Sequence, residues 1–328
     1  MGSPCRICGN STDNVPLLAR EMMFGTRAEF QYFQCASCQC LQIETVPSNI
    51  AEHYPPSYYS FSPSGPKGEP AWRRGLKSAA LRYRFDGQGA LGRLAASLFE
   101  LPPEIASWLA ASAVRPDSRL LDVGSGQGVL LRQLAGWGFT SLTGADPFIS
   151  ADLSYPDGVR VLRRRLSELS GEFDCIMMHH SFEHMDRPQE VLTEARRLLA
   201  PGGKVLVRIP LCSSAAYREY GVDWVQLDAP RHFFLHSHKS MSLLAESCGF
   251  SVESVFYDST AFQFWGSEQY RRGIALRAPN SYAESRKRST FSTQDIAAFA
   301  ARAQTLNAQE DGDQAGFVLT VADRGLGG

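Results

Sequence analysis

The chain has 328 residues, 44% of them hydrophobic and 20% charged, a balance that suits one large core with a small appended module and excludes a charge-rich disordered chain. Its 33 Lys and Arg against 34 Asp and Glu leave a formal net charge of -1, so no global field favours a nucleic-acid backbone as partner. No apolar run has the length of a membrane span and the N-terminus lacks a secretory profile, so the expected location is the cytoplasm.

Residues 1–45 hold five of the eight cysteines, Cys5, Cys8, Cys35, Cys38 and Cys40, around a strand-like stretch Glu29 to Gln34. Cys5-Arg6-Ile7-Cys8 and Cys35-Ala36-Ser37-Cys38 have the spacing of two metal knuckles, and four thiolates close a tetrahedron around zinc. Disulfides are the alternative, disfavoured in a reducing compartment. The module is predicted to be zinc-ribbon-like, with Zn2+ structural on Cys5, Cys8, Cys35 and Cys38. Cys40 lies outside the set, although it could replace Cys38 if the second turn is arranged differently.

Residues 46–110 read as a linker and leading helices. Pro47, Pro55, Pro56, Pro63, Pro66 and Pro70 mark the linker, and Leu91, Leu94, Leu98 and Ile105 have helical spacing up to Ala110. After Pro116 short apolar runs alternate with amphipathic helices, the signature of a parallel sheet covered on both faces. Strands are expected at residues 120–123, 142–145, 159–162, 173–178, 204–209 and 251–257. Helices are expected at 187–199, with Pro188 in its first turn and Pro201-Gly202-Gly203 ending it, and at 237–248, closed by Gly249. The main core thus spans 111–260. Residues 261–315 read as a polar helical insertion, and 316–328 as the last core strand, Phe317 to Val321, with a tail.

The run Leu121-Asp122-Val123-Gly124-Ser125-Gly126-Gln127-Gly128 sits where a buried strand turns into a helix, so backbone amides can approach a ligand. It lacks the Lys-Ser or Lys-Thr ending of a phosphate loop. Asp122 would repel a pyrophosphate but could pair with an ammonium, so a cationic amino-acid cofactor fits better than a dinucleotide. Downstream, Asp146 ends the next strand with a carboxylate placed for two ribose hydroxyls; a helix N-cap is its other reading.

Leu121 to Gly128, Asp146, Glu172 to Met178 and Leu198 to Gly203 together resemble the class I S-adenosylmethionine-dependent methyltransferases, over roughly residues 117 to 260. The resemblance implies a Rossmann-like, doubly wound, seven-stranded α/β sheet and S-adenosyl-L-methionine as cofactor. It carries cofactor contacts to Asp122, Gly124, Ser125, Gly126, Gly128 and Asp146, to His179 beside the methionine part and to Leu166 beside the adenine.

Methyl transfer is an in-line displacement, so the enzyme aligns the acceptor and takes its proton. His180, after the fourth strand, and His232, in the loop Asp228-Ala229-Pro230-Arg231-His232, are the candidate catalytic residues, with His232 preferred as the base. His184 reads as structural. Trp224, Tyr217, Tyr220, Tyr58 and Tyr59 could shape an acceptor pocket, although each also suits core packing. Arg163-Arg164-Arg165 reads as a solvated surface patch.

The cysteine module, Tyr58-Tyr59 and Pro230-Arg231-His232 also resemble bacterial methyltransferases of sugar and surface-polysaccharide pathways, including deoxysugar C-methyltransferases. The tail beyond residue 260 is shorter than in those enzymes, so O-methylation fits as well as C-methylation. The expectation is methyl transfer to a hydroxyl or carbon of a sugar, nucleotide sugar or glycan, with a small-molecule or glycan partner, nucleic acid disfavoured and the oligomeric state open. The rivals are an RNA base methyltransferase with a zinc module, which requires a basic face at the cleft, and a non-catalytic cofactor-binding partner protein.

Overall fold

A computed structural model describes residues 3–55 and 70–322. At the N-terminus, β1 (Val15–Arg20), β2 (Glu29–Gln34) and β3 (Leu41–Ile43) form an antiparallel meander. A fourth strand comes from far along the chain: β10 (Phe234–Leu235) pairs antiparallel with β3 through Phe234 opposite Gln42. The cysteine-bearing sheet is therefore completed by the loop that carries His232.

Three helices follow, α1 (Ala71–Asp86), α2 (Ala90–Leu98) and α3 (Pro103–Ser112). The main sheet then begins: β4 (Arg119–Val123), α4 (Val129–Gly136), β5 (Ser141–Ala145), β6 (Leu153–Ser154), β7 (Arg160–Leu162), β8 (Phe173–His179), α5 (Pro188–Leu198) and β9 (Leu199–Pro210). After α6 (Ala215–Tyr220) and β10 come α7 (His238–Ser247), β11 (Phe250–Tyr257), α8 (Phe262–Arg271), α9 (Thr293–Ala308) and β12 (Gln314–Val321). The order across the sheet is β11-β12-β9-β8-β4-β5-β7-β6. Strands β9, β8, β4, β5 and β7 are parallel, and β12 runs antiparallel between β9 and β11.

All seven strands read from the sequence are present, and the eighth is the two-residue edge strand β6, too short to leave an apolar run. Strand β9 starts earlier than expected. Pro201-Gly202-Gly203 does end α5, but the chain is already extended there; the register slips between Phe173 and Cys175 of β8, and Gly202 takes a φ of +76°. The insertion is less helical than its composition suggested, since residues 272–292 are turns between α8 and α9.

Alternation along the central strands sends neighbouring side chains to opposite faces. Leu121, Ile176, Met178, Val205 and Val207 pack under α5 and α7, whereas Leu120, Cys175, Met177 and Leu206 pack against α3 and α4. Burial on both faces explains why these strands read as continuous apolar runs. The outcome is a Rossmann-like α/β sheet whose parallel strands deliver their C-terminal ends to one edge.

A buried ion cluster joins the two sheets. Arg231 is fully buried and gives Nε and Nη2 to the Asp228 carboxylate at 2.9 and 2.6 Å, while Nη2 also reaches Glu21 Oε1 at 2.9 Å and Nη1 reaches the His53 carbonyl at 3.3 Å. Glu21 is itself wholly buried and accepts from the amides of Phe24 and Thr26. Removing the guanidinium strands two buried carboxylates, so Arg231→Ala is expected to cost about 3–5 kcal/mol in urea unfolding. Arg231→Lys should recover only part of that, because an ammonium does not reproduce the forked donor geometry. Equal stability of Arg231→Ala and wild type would show that the cluster does not hold the sheets together.

Candidate active site

The glycine loop leaves β4 at the C-terminal edge of the sheet. Gly124 has a φ of +75°, and a Cβ built on it would lie 2.5 Å from Ser181 Cβ, so both conformation and space demand glycine. Gly128, with a φ of +72°, caps the start of α4, and a Cβ there would meet Val161 at 2.7 Å. Gly126 lies between them with its amide on Asp146 Oδ2 at 2.9 Å. The second Asp146 oxygen accepts from Phe148 N at 2.8 Å, so two backbone amides fix the carboxylate at the end of β5. The N-cap alternative does not describe this geometry: Asp146 bridges the glycine loop to the turn after β5.

Asp122 is buried, with no cation beside it among the described residues. Burial first, and the nearby Asp146 charge second, push its carboxyl up to about 8. Ser125 Oγ and His179 Nε2 are buried and have no hydrogen-bond partner among the described residues. The His179 ring lies 5.5 Å from Trp108, and burial, followed by Arg208 and His180, holds its imidazole well below the usual histidine range. Leu166 is buried in the cluster that contains Val123 and Ala145. Six of the eight residues expected to hold cofactor are thus on the glycine loop, on its strand or on Asp146; Leu166 and His179 come from the segments after β7 and at the end of β8.

Next to this loop lies a cavity of about 330 Å3. The two meet at residues 180–183: Ser181 Oγ donates to the Val123 carbonyl at 2.7 Å, and His180 and Glu183 line the cavity. Its polar end also holds Asp228 and His232, and its apolar walls include Met23, Phe262, Trp265, Tyr270 and Leu276. His180 and Asp228 have φ values of +49° and +39°, a strained backbone for residues other than glycine, at two positions that face the cavity.

His232 Nδ1 lies 2.7 Å from the Gln226 carbonyl and must donate to it, which leaves Nε2 as the acceptor of the neutral ring. Nε2 is 4.0 Å from Glu183 Oε1 and 3.9 Å from Asp228 Oδ2. His184 Nδ1 lies 2.8 Å from the Arg231 carbonyl and 3.2 Å from the Tyr54 hydroxyl. Burial would raise Glu183, but the contact with His180 first and then the neighbouring His184 and His232 imidazoles bring it down to about 2.

Trp224, Tyr217 and Tyr220 do not line the cavity. Trp224 is fully buried with Nε1 on Asp313 at 3.0 Å, Tyr217 packs edge-on against it at 5.5 Å, and the Tyr220 hydroxyl bonds Glu268 at 3.2 Å. Core packing is their role. Tyr58 and Tyr59 lie outside the described residues. Arg163, Arg164 and Arg165 are exposed. The aromatic walls from α8 were missed; their signal was Phe262-Gln263-Phe264-Trp265, an apolar run inside a segment read as polar.

The four knuckle cysteines converge, with one sulfur from each within 4.8 Å of the others; Cys5 and Cys38 are 3.5 Å apart, and Cys8 and Cys35 3.6 Å. An edge of about 3.8 Å follows from zinc–sulfur bonds of about 2.3 Å. Ile7 N and Gln42 Nε2 point at Cys5 Sγ, and Cys38 N points at Cys35 Sγ, so donors surround sulfurs able to carry negative charge. All eight cysteines are free thiols. Cys40 stays outside the cluster, with its sulfur toward the Leu41 carbonyl.

Residues 94–255 match the family model of a methyltransferase domain. The ubiquinone biosynthesis O-methyltransferases of Pseudomonas aeruginosa and Dechloromonas aromatica are each 31% identical over 121 residues, 34% of this chain and 52% of theirs. The chain therefore spans about half the length of the curated relatives it matches. Among solved structures, geranyl diphosphate methyltransferase in complex with SAM is similar at 16% identity and a TM-score of 0.42, covering 72% of this chain and 92% of that one. Magnesium protoporphyrin IX methyltransferase from Synechocystis PCC 6803 is similar at 14% identity and a TM-score of 0.41, covering 65% and 94%. Residues 94–255 thus carry a methyltransferase domain, which holds the glycine loop and strands β4 to β9 described above.

Asp122 gives this site a pH signature. The folded chain holds a proton on Asp122 up to about pH 8, whereas the unfolded chain releases it near its ordinary pKa of about 3.9. The native state binds more protons across that window, so Asp122 costs stability as pH rises through it. Asp122→Asn should lose this contribution and show a shallower decline from pH 5 to 8, by up to about 1.4 kcal/mol per pH unit in urea unfolding. Parallel pH profiles would mean that Asp122 is ionised throughout.

Proposed function

We propose that this protein is an S-adenosylmethionine-dependent methyltransferase that methylates a hydroxyl of a small molecule or glycan held in the cavity beside the glycine loop. The observation that carries the reading is the Asp146 carboxylate, fixed by the Gly126 and Phe148 amides at the end of β5, next to a loop of positive-φ glycines. A carboxylate held this way offers its remaining lone pairs to two ribose hydroxyls. The residues present fit the rest of the cofactor. Ser125 Oγ and His179 Nε2 are polar atoms without a partner among the described residues, and the buried Asp122 carboxyl would be relieved by the cofactor's ammonium. Bound there, S-adenosylmethionine supplies a methyl group on a sulfonium.

The chain's own contribution is orientation and proton removal. His232 is the base, because its Nδ1 is spent on Gln226 and its Nε2 lone pair faces the cavity. His180, held on a strained backbone between the glycine loop and the cavity, positions the acceptor against the methyl donor. The named relatives are O-methyltransferases, which supports oxygen over carbon as the methylated atom. The sugar or polysaccharide acceptor expected from the sequence has no counterpart in those names.

We also propose that Cys5, Cys8, Cys35 and Cys38 hold one structural Zn2+, since a closed set of four thiolates leaves no position for substrate. Elemental analysis should find one zinc per chain, and stripping it with a chelator should lower the melting temperature by several degrees. Full stability after stripping would remove the metal from the fold.

Two substitutions separate donor from acceptor. Asp146→Ala is expected to weaken S-adenosylmethionine binding by about tenfold or more in calorimetry, the scale of a lost charged hydrogen-bond acceptor. His232→Ala should leave that affinity within about twofold and lower kcat by about a hundredfold or more. Unchanged cofactor affinity in Asp146→Ala, or unchanged turnover in His232→Ala, would remove that residue from its role.

A further inference from the structure

At Glu183 and His232 the polar end of the cavity presents hydrogen-bond acceptors. Glu183 is fully buried and lines the cavity, yet neither of its oxygens has a hydrogen-bond partner among the described residues. Its ion-pair contact with His180, Oε1 to Nδ1 at 3.4 Å, lacks the alignment of a hydrogen bond. His232 Nε2 lies 4.0 Å from the same oxygen, and in the neutral ring it too is an acceptor, because Nδ1 donates to Gln226. Asp228, the other carboxylate, is already satisfied by Arg231. The neighbouring histidines favour the ionised carboxylate, yet its lone pairs stay open among the described residues, and a ligand that brings hydrogen-bond donors fills them.

We propose that the acceptor is a ring carrying two adjacent hydroxyls, one donating to Glu183 and its neighbour to His232 Nε2. This rests on the methyltransferase reading and specifies its substrate. Two acceptor atoms 4.0 Å apart call for two donors on neighbouring atoms, as a vicinal diol provides. A carboxylate or phosphate at this end would be repelled by Glu183, and the guanidinium that lines the cavity, Arg277, is already paired with Glu284 at 2.8 Å. The ring follows from the walls, where Phe262 and Trp265, with ring centroids 4.9 Å apart and planes tilted by 58°, present aromatic surface to the cavity. A catechol and a sugar-like ring share this chemistry.

The step balances. The hydroxyl at His232 gives its proton to Nε2 as its oxygen forms the bond to the methyl carbon; the carbon–sulfur bond breaks, and its electron pair stays on sulfur, leaving a neutral thioether. The second hydroxyl remains on Glu183 and sets which oxygen is methylated. A divalent ion is the competing partner for Glu183, since one ligating atom each of Glu183, His184 and His232 lies within 4.8 Å of the others. The aromatic walls and the size of the cavity favour the ring, which uses both.

The test uses the full chain, methyl-labelled S-adenosylmethionine and two probe pairs: catechol against phenol, and cis-cyclohexane-1,2-diol against cyclohexanol. One diol is expected to exceed its mono-ol at least tenfold in kcat/KM and to give a single monomethyl ether; the pair that does so distinguishes an aromatic from a sugar-like acceptor. In Glu183→Gln that preference should fall to within about twofold, with S-adenosylhomocysteine affinity and circular dichroism unchanged. If Glu183→Gln fails to fold, the selectivities of the wild type alone decide. Normal S-adenosylhomocysteine binding with no diol preference in either pair overturns the diol and leaves the methyltransferase reading standing; absent S-adenosylhomocysteine binding overturns both. A second metal ion per chain, beyond that on the cysteines and lost in Glu183→Gln, would assign Glu183 to a cation and overturn the diol.

Discussion

One buried guanidinium organises the acceptor side of this molecule. Arg231 has no route to water, so its charge must be balanced inside, and the two carboxylates that balance it come from different parts of the fold: Asp228 from its own loop and Glu21 from the turn after β1. Backbone atoms nearby are recruited as well. The Arg231 carbonyl accepts from His184, the His232 carbonyl accepts from the Tyr32 hydroxyl, and Phe233 N donates to the Glu183 carbonyl. The cysteine-bearing sheet, the loop after β8 and the loop before β10 are thereby locked in one register. An N-terminal module that looks separable in sequence is in this way a wall of the cavity, through Met23.

The donor side depends on a different constraint, the strand-end geometry of a parallel sheet. Strands β4, β5 and β8 run the same way, so the glycine loop, Asp146 and His179 emerge at one edge without long-range contacts to bring them there. What tunes the edge is local. Glycine at 124 lets Ser181 pack against the loop, and Ser181 in turn ties the loop to the residues that start the acceptor cavity.

That difference explains what was legible in the sequence. Seven of the eight main-sheet strands could be read because burial on both faces leaves runs such as Leu120 to Val123 and Phe173 to Met178, and the glycine loop with Asp146 is a local pattern. The knuckle cysteines were legible for the same reason. The cavity was not, because its walls come from residues 23, 180–183, 225–232, 262–283 and 314, and no periodicity links them. Trp224 illustrates the problem: close in sequence to the loop that carries His232 it looked like a pocket residue, but its indole N–H found Asp313 and its ring went into the core. Trp265 looked like part of a polar helix and became a wall.

The two halves of the site are therefore under unequal constraint. Donor residues are fixed by backbone conformation and sheet order, so a change there damages the fold and the cofactor site together. Acceptor walls on α8 and in the turns that follow carry no strand of the main sheet, and their side chains can change while β12 still closes the sheet between β9 and β11. Glu183 is the exception on the acceptor side. Its carbonyl holds Phe233, just ahead of β10, and its carboxylate faces the cavity, so one residue couples the closure of the N-terminal sheet to the chemistry of the ligand. Specificity can drift along the aromatic wall, but the demand for a hydrogen-bond donor opposite Glu183 is built into the scaffold.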